Sequence, residues 1–307
     1  MTEDGHTPDG TPDQLVFQDP TTRFASISPP RQKQEAPGLE AEMEPRPDIG
    51  EHSYRGTGRL VGRRALITGG DSGIGAATAV AFAREGADVA LTYLPDEDRD
   101  ARHVACIIED CGRKAVLVPG DLHDRTFCAE VVDRAAQALG GLDILVNNAG
   151  QQTFSESLEE ITDDQLTATF DLNILAMFRV TRQALRYLQP GSAIINTTSV
   201  QGFKPSPILV DYASTKAAIG AFSKALAQQL APRGIRVNAV APGPVWTALQ
   251  VSGGQPQEKI PEFGKQVPLG RAGQPVELAP AYVFLASSES SYVVGETVHV
   301  NGGTPSP

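Results

Sequence analysis

Residues 64–75 read Arg64-Ala65-Leu66-Ile67-Thr68-Gly69-Gly70-Asp71-Ser72-Gly73-Ile74-Gly75. The first five have the length and apolar content of a short buried strand. From Gly73 to Glu85 the small and apolar residues Ala76, Ala77, Ala79, Val80, Phe82 and Ala83 suit a helix packed on a sheet, and Gly86 supplies its C-terminal stop. Strand, Cβ-poor turn and helix N-terminus together bring backbone N–H groups and the positive end of a helix dipole against a pyrophosphate. The spacing Gly-x-x-x-Gly-x-Gly is a variant of the usual dinucleotide fingerprint, and a tight turn without a ligand is the competing reading of this run alone. Gly69, Asp71, Ser72, Gly73, Ile74 and Gly75 are its candidate contacts.

Outward from this stretch the pattern alternates. Strands are expected at 88–93, 115–119, 142–147, 193–198, 236–241 and 297–300, and helices at 96–111, 124–139, 211–230 and 276–286. Thr162 with Gln165 signals the cap of one long helix reaching about residue 188. Seven strands with crossover helices predict an α/β fold: a single Rossmann-type three-layer sandwich with a seven-stranded, mostly parallel sheet, over residues 59–307. Residues 1–58 are rich in Pro, Asp, Glu and Gln and lack a sustained period. They predict an extension that is partly extended or disordered, with Ser53, Tyr54 and Arg55 able to dock on the domain. With little apolar surface in 1–45, removing that stretch is expected to spare both ligand binding and assembly.

The 307 residues carry a formal charge of −11, which gives no basic field for nucleic acid or an anionic membrane. No apolar run reaches the roughly 18 residues of a membrane span, and the acidic start is not a signal peptide. Cys106, Cys111 and Cys128 are odd in number, without a CxxC pair or histidine cluster. They are expected on two surface helices as free thiols in a reducing cytoplasm, with no metal site.

Tyr212 and Lys216, at i and i+4 in Tyr212-Ala213-Ser214-Thr215-Lys216, share one helix face, thirteen residues after Ser199. An ammonium near a phenol in a dry site favours the phenolate and makes tyrosine a usable acid or base near neutral pH. Ser199, ending a strand, is placed to donate to a substrate oxygen. Asn173 is an amide in an otherwise apolar helix, which marks a polar task or a kink. Pro242-Gly243-Pro244-Val245-Trp246-Thr247 follows the sixth strand at the carboxyl edge where open α/β sheets bind ligands. Residues 248–265 read as a mobile lid. Gln151, Gln152, Phe154, Phe203, Trp246 and Leu249 are the expected pocket walls, with a core role equally open to either phenylalanine.

These motifs, with Asp121 after the third strand and Asn147-Asn148-Ala149-Gly150 after the fourth, resemble a classical short-chain dehydrogenase/reductase over roughly residues 60–304. The segments Asp48-Ile49-Gly50-Glu51-His52-Ser53-Tyr54, Gly69–Gly73, Val245-Trp246-Thr247 and Ser290-Ser291-Tyr292 are similar to the glucose/ribitol dehydrogenase-like or aldehyde reductase subgroup. The resemblance implies an NAD(P)-dependent oxidoreductase acting on a small carbonyl or alcohol substrate, with Asn173, Ser199, Tyr212 and Lys216 as catalytic residues. It implies that Asn173 holds a water linked to Lys216, and that Lys216 contacts the nicotinamide ribose. Tyr93, Asp121, Leu122, Asn148, Ala149, Gly150, Tyr212, Pro242, Gly243, Val245 and Thr247 complete the implied cofactor contacts. For Asp121 a loop cap, and for Asn148 a turn role, stay open. A homotetramer is implied as well. NAD versus NADP is unresolved: the second strand ends Thr92-Tyr93-Leu94 without an acid, and no cation stands in the glycine turn. Weak discrimination is expected unless Arg99 or Arg102 lies close enough to favour NADP. A non-catalytic dinucleotide-binding sensor or scaffold, or an epimerase or dehydratase of the extended branch, are the other readings.

Overall fold

The structure is a computed structural model and describes residues 13–24 and 28–305. Strand β1 (Arg64–Thr68) is the third strand of a seven-stranded sheet, flanked by β2 (Asp88–Tyr93) and β4 (Ile144–Asn147). Beyond them follow β3 (Ala115–Pro119) on one side, and β5 (Ala193–Thr197), β6 (Arg236–Pro242) and β7 (Thr297–Val300) on the other. All six pairings are parallel, where a mostly parallel sheet was expected. The strands reverse their order of addition between β1 and β4, which opens a crevice at their carboxyl ends.

Strand alternation divides the core. Ala65 and Ile67 point to one face and pack with α1 (Gly73–Arg84), α2 (Asp98–Asp110) and α7 (Pro275–Ala286). Leu66 points to the other, among α3 (Arg125–Leu139), α5 (Met177–Ala184) and α6 (Val210–Leu230). Cys128, expected on a helix surface, is buried in this second layer with its thiol on the Leu122 carbonyl at 3.0 Å. Among the described residues, no helix is long and apolar enough to cross a membrane.

The helix expected from Thr162 onward is three pieces. Thr162 Oγ1 accepts the Gln165 N–H at 3.1 Å and starts α4 (Asp163–Phe170); a π turn, Asp171–Ala176, separates α4 from α5. The wider turn carries Asn173 inward. Such π insertions accompany functional sites, because they re-aim one side chain at the cost of helix regularity.

The described part of the N-terminal extension lies along the domain and contributes to its interior. Met43 packs with Trp246, Ala248, Val251, Ile260 and Ala272 in a third apolar cluster. Ile49 and Tyr54 join the layer of α1 and α7. The Tyr54 hydroxyl donates to Glu85 Oε1 at 2.8 Å, and Arg59 Nη2 donates to the same oxygen at 2.6 Å. The premise that 1–45 has little to bury therefore fails at Met43, and at the buried Glu40. The stretch 1–12 of the expected tail lies outside the described residues.

Candidate active site

The crevice at the carboxyl ends is a cleft of about 760 Å³. One wall is the glycine turn. Gly69 and Gly73 have φ of +61° and +51°, a region that favours glycine, and a Cβ on Gly75 would stand 1.8 Å from the Gly69 carbonyl oxygen. Helix α1 can therefore begin against the turn only with glycine at 75. Gly69, Asp71, Ser72, Gly73 and Ile74 line the cleft, whereas Gly75 serves from behind. Asp71 is buried, and its Oδ2 has no hydrogen-bond partner among the described residues. Burial raises its carboxyl pKa.

Tyr93, Asp121, Leu122, Asn148, Ala149, Gly150, Pro242, Gly243, Val245 and Thr247 also line the cleft. The Asn148 amide donates to the Gly69 carbonyl at 2.9 Å and ties the end of β4 to the turn. Asp121 accepts from the backbone N–H of His123, the loop-cap arrangement, while still facing the cleft. A cleft of this volume, lined by the glycine turn and by a buried acid with one free carboxylate oxygen, fits a dinucleotide.

The opposite wall carries Ser199, Tyr212 and Lys216. Ser199 Oγ accepts the Gln201 N–H at 3.1 Å, which leaves the hydroxyl hydrogen free to donate elsewhere. Lys216 Nζ donates to the Thr197 carbonyl at 2.9 Å and lies 5.4 Å from the Tyr212 ring centroid. Burial pushes the Tyr212 phenol up to about 12, against a lowering by Ser199, and pushes Lys216 down to about 8. The phenol is thus raised where a lowered one was expected, because burial outweighs the hydrogen bond from Ser199.

Asn173 is buried next to this wall without lining the cleft. Its Oδ1 accepts the Gln151 N–H at 2.8 Å, while Nδ2 donates to the Gln151 carbonyl at 3.0 Å and to Thr215 Oγ1 at 3.1 Å. A Cβ on Gly150 would stand 3.1 Å from Asn173 Oδ1 and 3.5 Å from Lys216 Nζ, so glycine leaves that space open.

Of the expected walls, Gln151, Gln152 and Leu249 line the cleft, whereas Phe154, Phe203 and Trp246 do not. Trp246 is wholly buried, its Nε1 donating to the Pro45 carbonyl at 2.8 Å, and Phe203 meets the His299 ring edge at 4.6 Å. The sequence reading missed Glu97, Lys204, Ala36 and Pro37, all of which line the cleft. The segment read as a lid is folded into a π turn, Gln250–Gly254, and a short 3-10 stretch, Gln257–Glu262.

A family model described as enoyl-(acyl carrier protein) reductase matches residues 69–305. The uncharacterized oxidoreductase YghA of Escherichia coli K12 is 57% identical over 287 residues, covering 94% of this chain and 98% of its own. The chain belongs to the short-chain dehydrogenase/reductase family. Another relative in this family, NADPH-dependent aldehyde reductase 1, chloroplastic, of Arabidopsis thaliana, is 46% identical, covering 89% of this chain and 97% of its own. A short-chain dehydrogenase from Burkholderia cenocepacia J2315, solved in complex with NADP, matches with a TM-score of 0.75 at 36% identity, covering 80% of this chain and 98% of that one. The 6% that YghA leaves unmatched is too short to contain residues 28–58, whereas the 20% left by the Burkholderia structure is long enough.

Proposed function

We propose that this short-chain dehydrogenase/reductase is an NAD(P)-dependent oxidoreductase that interconverts a small carbonyl compound (an aldehyde, ketone or sugar) and its alcohol. One observation carries the reading: Ser199, Tyr212 and Lys216 line the same cleft as the glycine turn. A nicotinamide dinucleotide bound there supplies or accepts the hydride. In reduction, Tyr212 gives its phenolic proton to the carbonyl oxygen, while Ser199 donates a hydrogen bond to that oxygen as its charge grows. Lys216, an ammonium below pH 8, has two donors beyond the Thr197 carbonyl, for the nicotinamide ribose and for the developing phenolate. Asn173 holds Gln151 and Thr215 in place around them.

A non-catalytic sensor would need the dinucleotide cleft but not an assembled Ser199, Tyr212 and Lys216 wall, so the enzyme reading is preferred. Exposed Leu166, Leu175 and Phe178 near α4 and α5 support the proposed homotetramer, and the unpaired Cys106, Cys111 and Cys128 fit the proposed cytoplasmic location. The test is spectrophotometric: NADH or NADPH oxidation with a panel of aldehydes, ketones and sugars, and the reverse reaction with their alcohols. Turnover of at least one carbonyl is expected; dinucleotide binding without turnover of any would favour the sensor.

A further inference from the structure

The stretch 34–48 of the N-terminal extension runs beside the dinucleotide cleft and bonds to the start of α1, to α2 and α7, and to the segment after β6. The Gln34 N–H donates to the Val251 carbonyl at 3.0 Å, and Ala36 and Pro37 line the cleft. The Glu40 and Ala41 N–H groups donate to Asp100 of α2 at 2.6 and 3.2 Å. Pro45 accepts from Trp246, and the Val276 N–H donates to the Asp48 carbonyl at 2.9 Å. At the centre of this course the buried Glu40 Oε2 accepts the Gly73 N–H at 2.6 Å.

That bond replaces a missing cap. The first turn of a helix leaves its N–H groups without partners, and Ser72, at the N-cap of α1, makes no side-chain cap. The Ala76 N–H returns to the Ser72 carbonyl at 3.0 Å and the Gly73 N–H goes to Glu40. The Ile74 N–H has no acceptor among the described residues, and Ile74 lines the cleft. The helix end is therefore held from behind by the extension and open on the cleft side.

We infer that Glu40 is a positioning residue of the dinucleotide site, holding the Gly73 amide so that the glycine turn presents its remaining first-turn N–H groups to the cofactor diphosphate. This rests on the dinucleotide-binding reading above. Its chemistry suits the task. Burial raises the Glu40 carboxyl to about 8 against the lowering pull of the Gly73 amide, with Asp100 and Asp71 adding to the rise and Arg46 opposing it. At neutral pH an uncharged acid accepts the amide, and the diphosphate is spared a facing carboxylate.

The experiment uses the full chain and follows energy transfer from Trp246 to NADH or NADPH as the dinucleotide is titrated, with thermal melting alongside. Glu40→Gln keeps a carbonyl oxygen in place of the acid and should bind within about threefold of wild type. Glu40→Ala should bind about tenfold more weakly, the scale of one lost buried hydrogen bond. Should Glu40→Ala not fold, Glu40→Asp, which withdraws the acid by one methylene, should show the same loss. Wild-type affinity in Glu40→Ala with only a lowered melting temperature would overturn the inference, as would Glu40→Gln binding as poorly as Glu40→Ala. A wild-type protein that binds neither dinucleotide would instead remove the underlying functional reading.

Discussion

The Lys216 ammonium lies 5.4 Å from the centre of the Tyr212 ring and donates to the carbonyl of Thr197, the last residue of β5. Burial around the two drives their pKa values apart, with the phenol near 12 and the lysine near 8. At neutral pH the wall therefore holds a phenol and an ammonium, the states needed to donate a proton to a carbonyl.

Because the Lys216 pKa is lowered to about 8, its charge is complete well below that pH and is lost above it. Carbonyl reduction at saturating substrate should fall on the alkaline side of about pH 8. Lys216→Arg, which stays charged, should lose that limb whatever activity it retains. Lys216→Ala should lower turnover more than a hundredfold and also raise the KM for the dinucleotide. A pH–rate profile of each variant measures this. A limb near 8 that persists in Lys216→Arg would assign it to another group.

Glu85 shows how the extension adds stability. Burial favours its neutral form, but the Arg59 side chain, the Arg59 and Thr57 amides and the Tyr54 hydroxyl overcome that and hold the carboxyl at about 2. A depressed carboxylate stabilises the fold fully above its ordinary pKa of 4.5, and the contribution is lost as pH falls from there toward 2. Glu85→Gln should therefore melt roughly 5 °C lower at pH 7, with the gap narrowing below pH 4.5. Calorimetry at pH 7, 4.5 and 3.5 checks it.

We propose that cofactor choice turns on Asp71, Tyr93, Leu94 and Glu97, which line the cleft. Arg102, considered from sequence as a cation for the extra phosphate of NADP, is instead paired with Asp98, which also takes the Tyr93 hydroxyl at 2.9 Å. Neither Arg99 nor Arg102 lines the cleft. Burial, and then Asp71, raise Glu97 to about 8, so at pH 7 it is mostly uncharged and repels little. NAD and NADP should differ by less than roughly 30-fold at pH 7, about 2 kcal/mol. Above pH 8 Glu97 ionises, and NADP should weaken relative to NAD by about fivefold by pH 9. Isothermal titration at both pH values decides it; NADP gaining on NAD as pH rises would contradict the assignment of Glu97.

What could be read from sequence was what is local. The run Thr68–Gly75 could be read as strand, turn and helix start because these lie within a dozen residues, and Tyr212 could be placed beside Lys216 because one helix turn pairs them. Asn173 was legible as an unusual amide, but not as the clamp on Gln151, since nothing in the periodicity announces the π turn that aims it. Trp246 misled: next to Thr247 it looked like a wall, yet its indole is drawn inward by Met43 and the Pro45 carbonyl. Glu40 was invisible because an acid in a proline-rich, acidic stretch gains its meaning only from Gly73, 33 residues later.

The central claim is that Tyr212 transfers the proton in a cleft that binds the dinucleotide independently of it. Tyr212→Phe keeps the ring and removes only the hydroxyl. With a carbonyl substrate identified from the panel, single-turnover hydride transfer in this variant should slow at least about a hundredfold, while NADH or NADPH binds within about threefold of wild type. Transfer at more than a tenth of the wild-type rate would contradict the account.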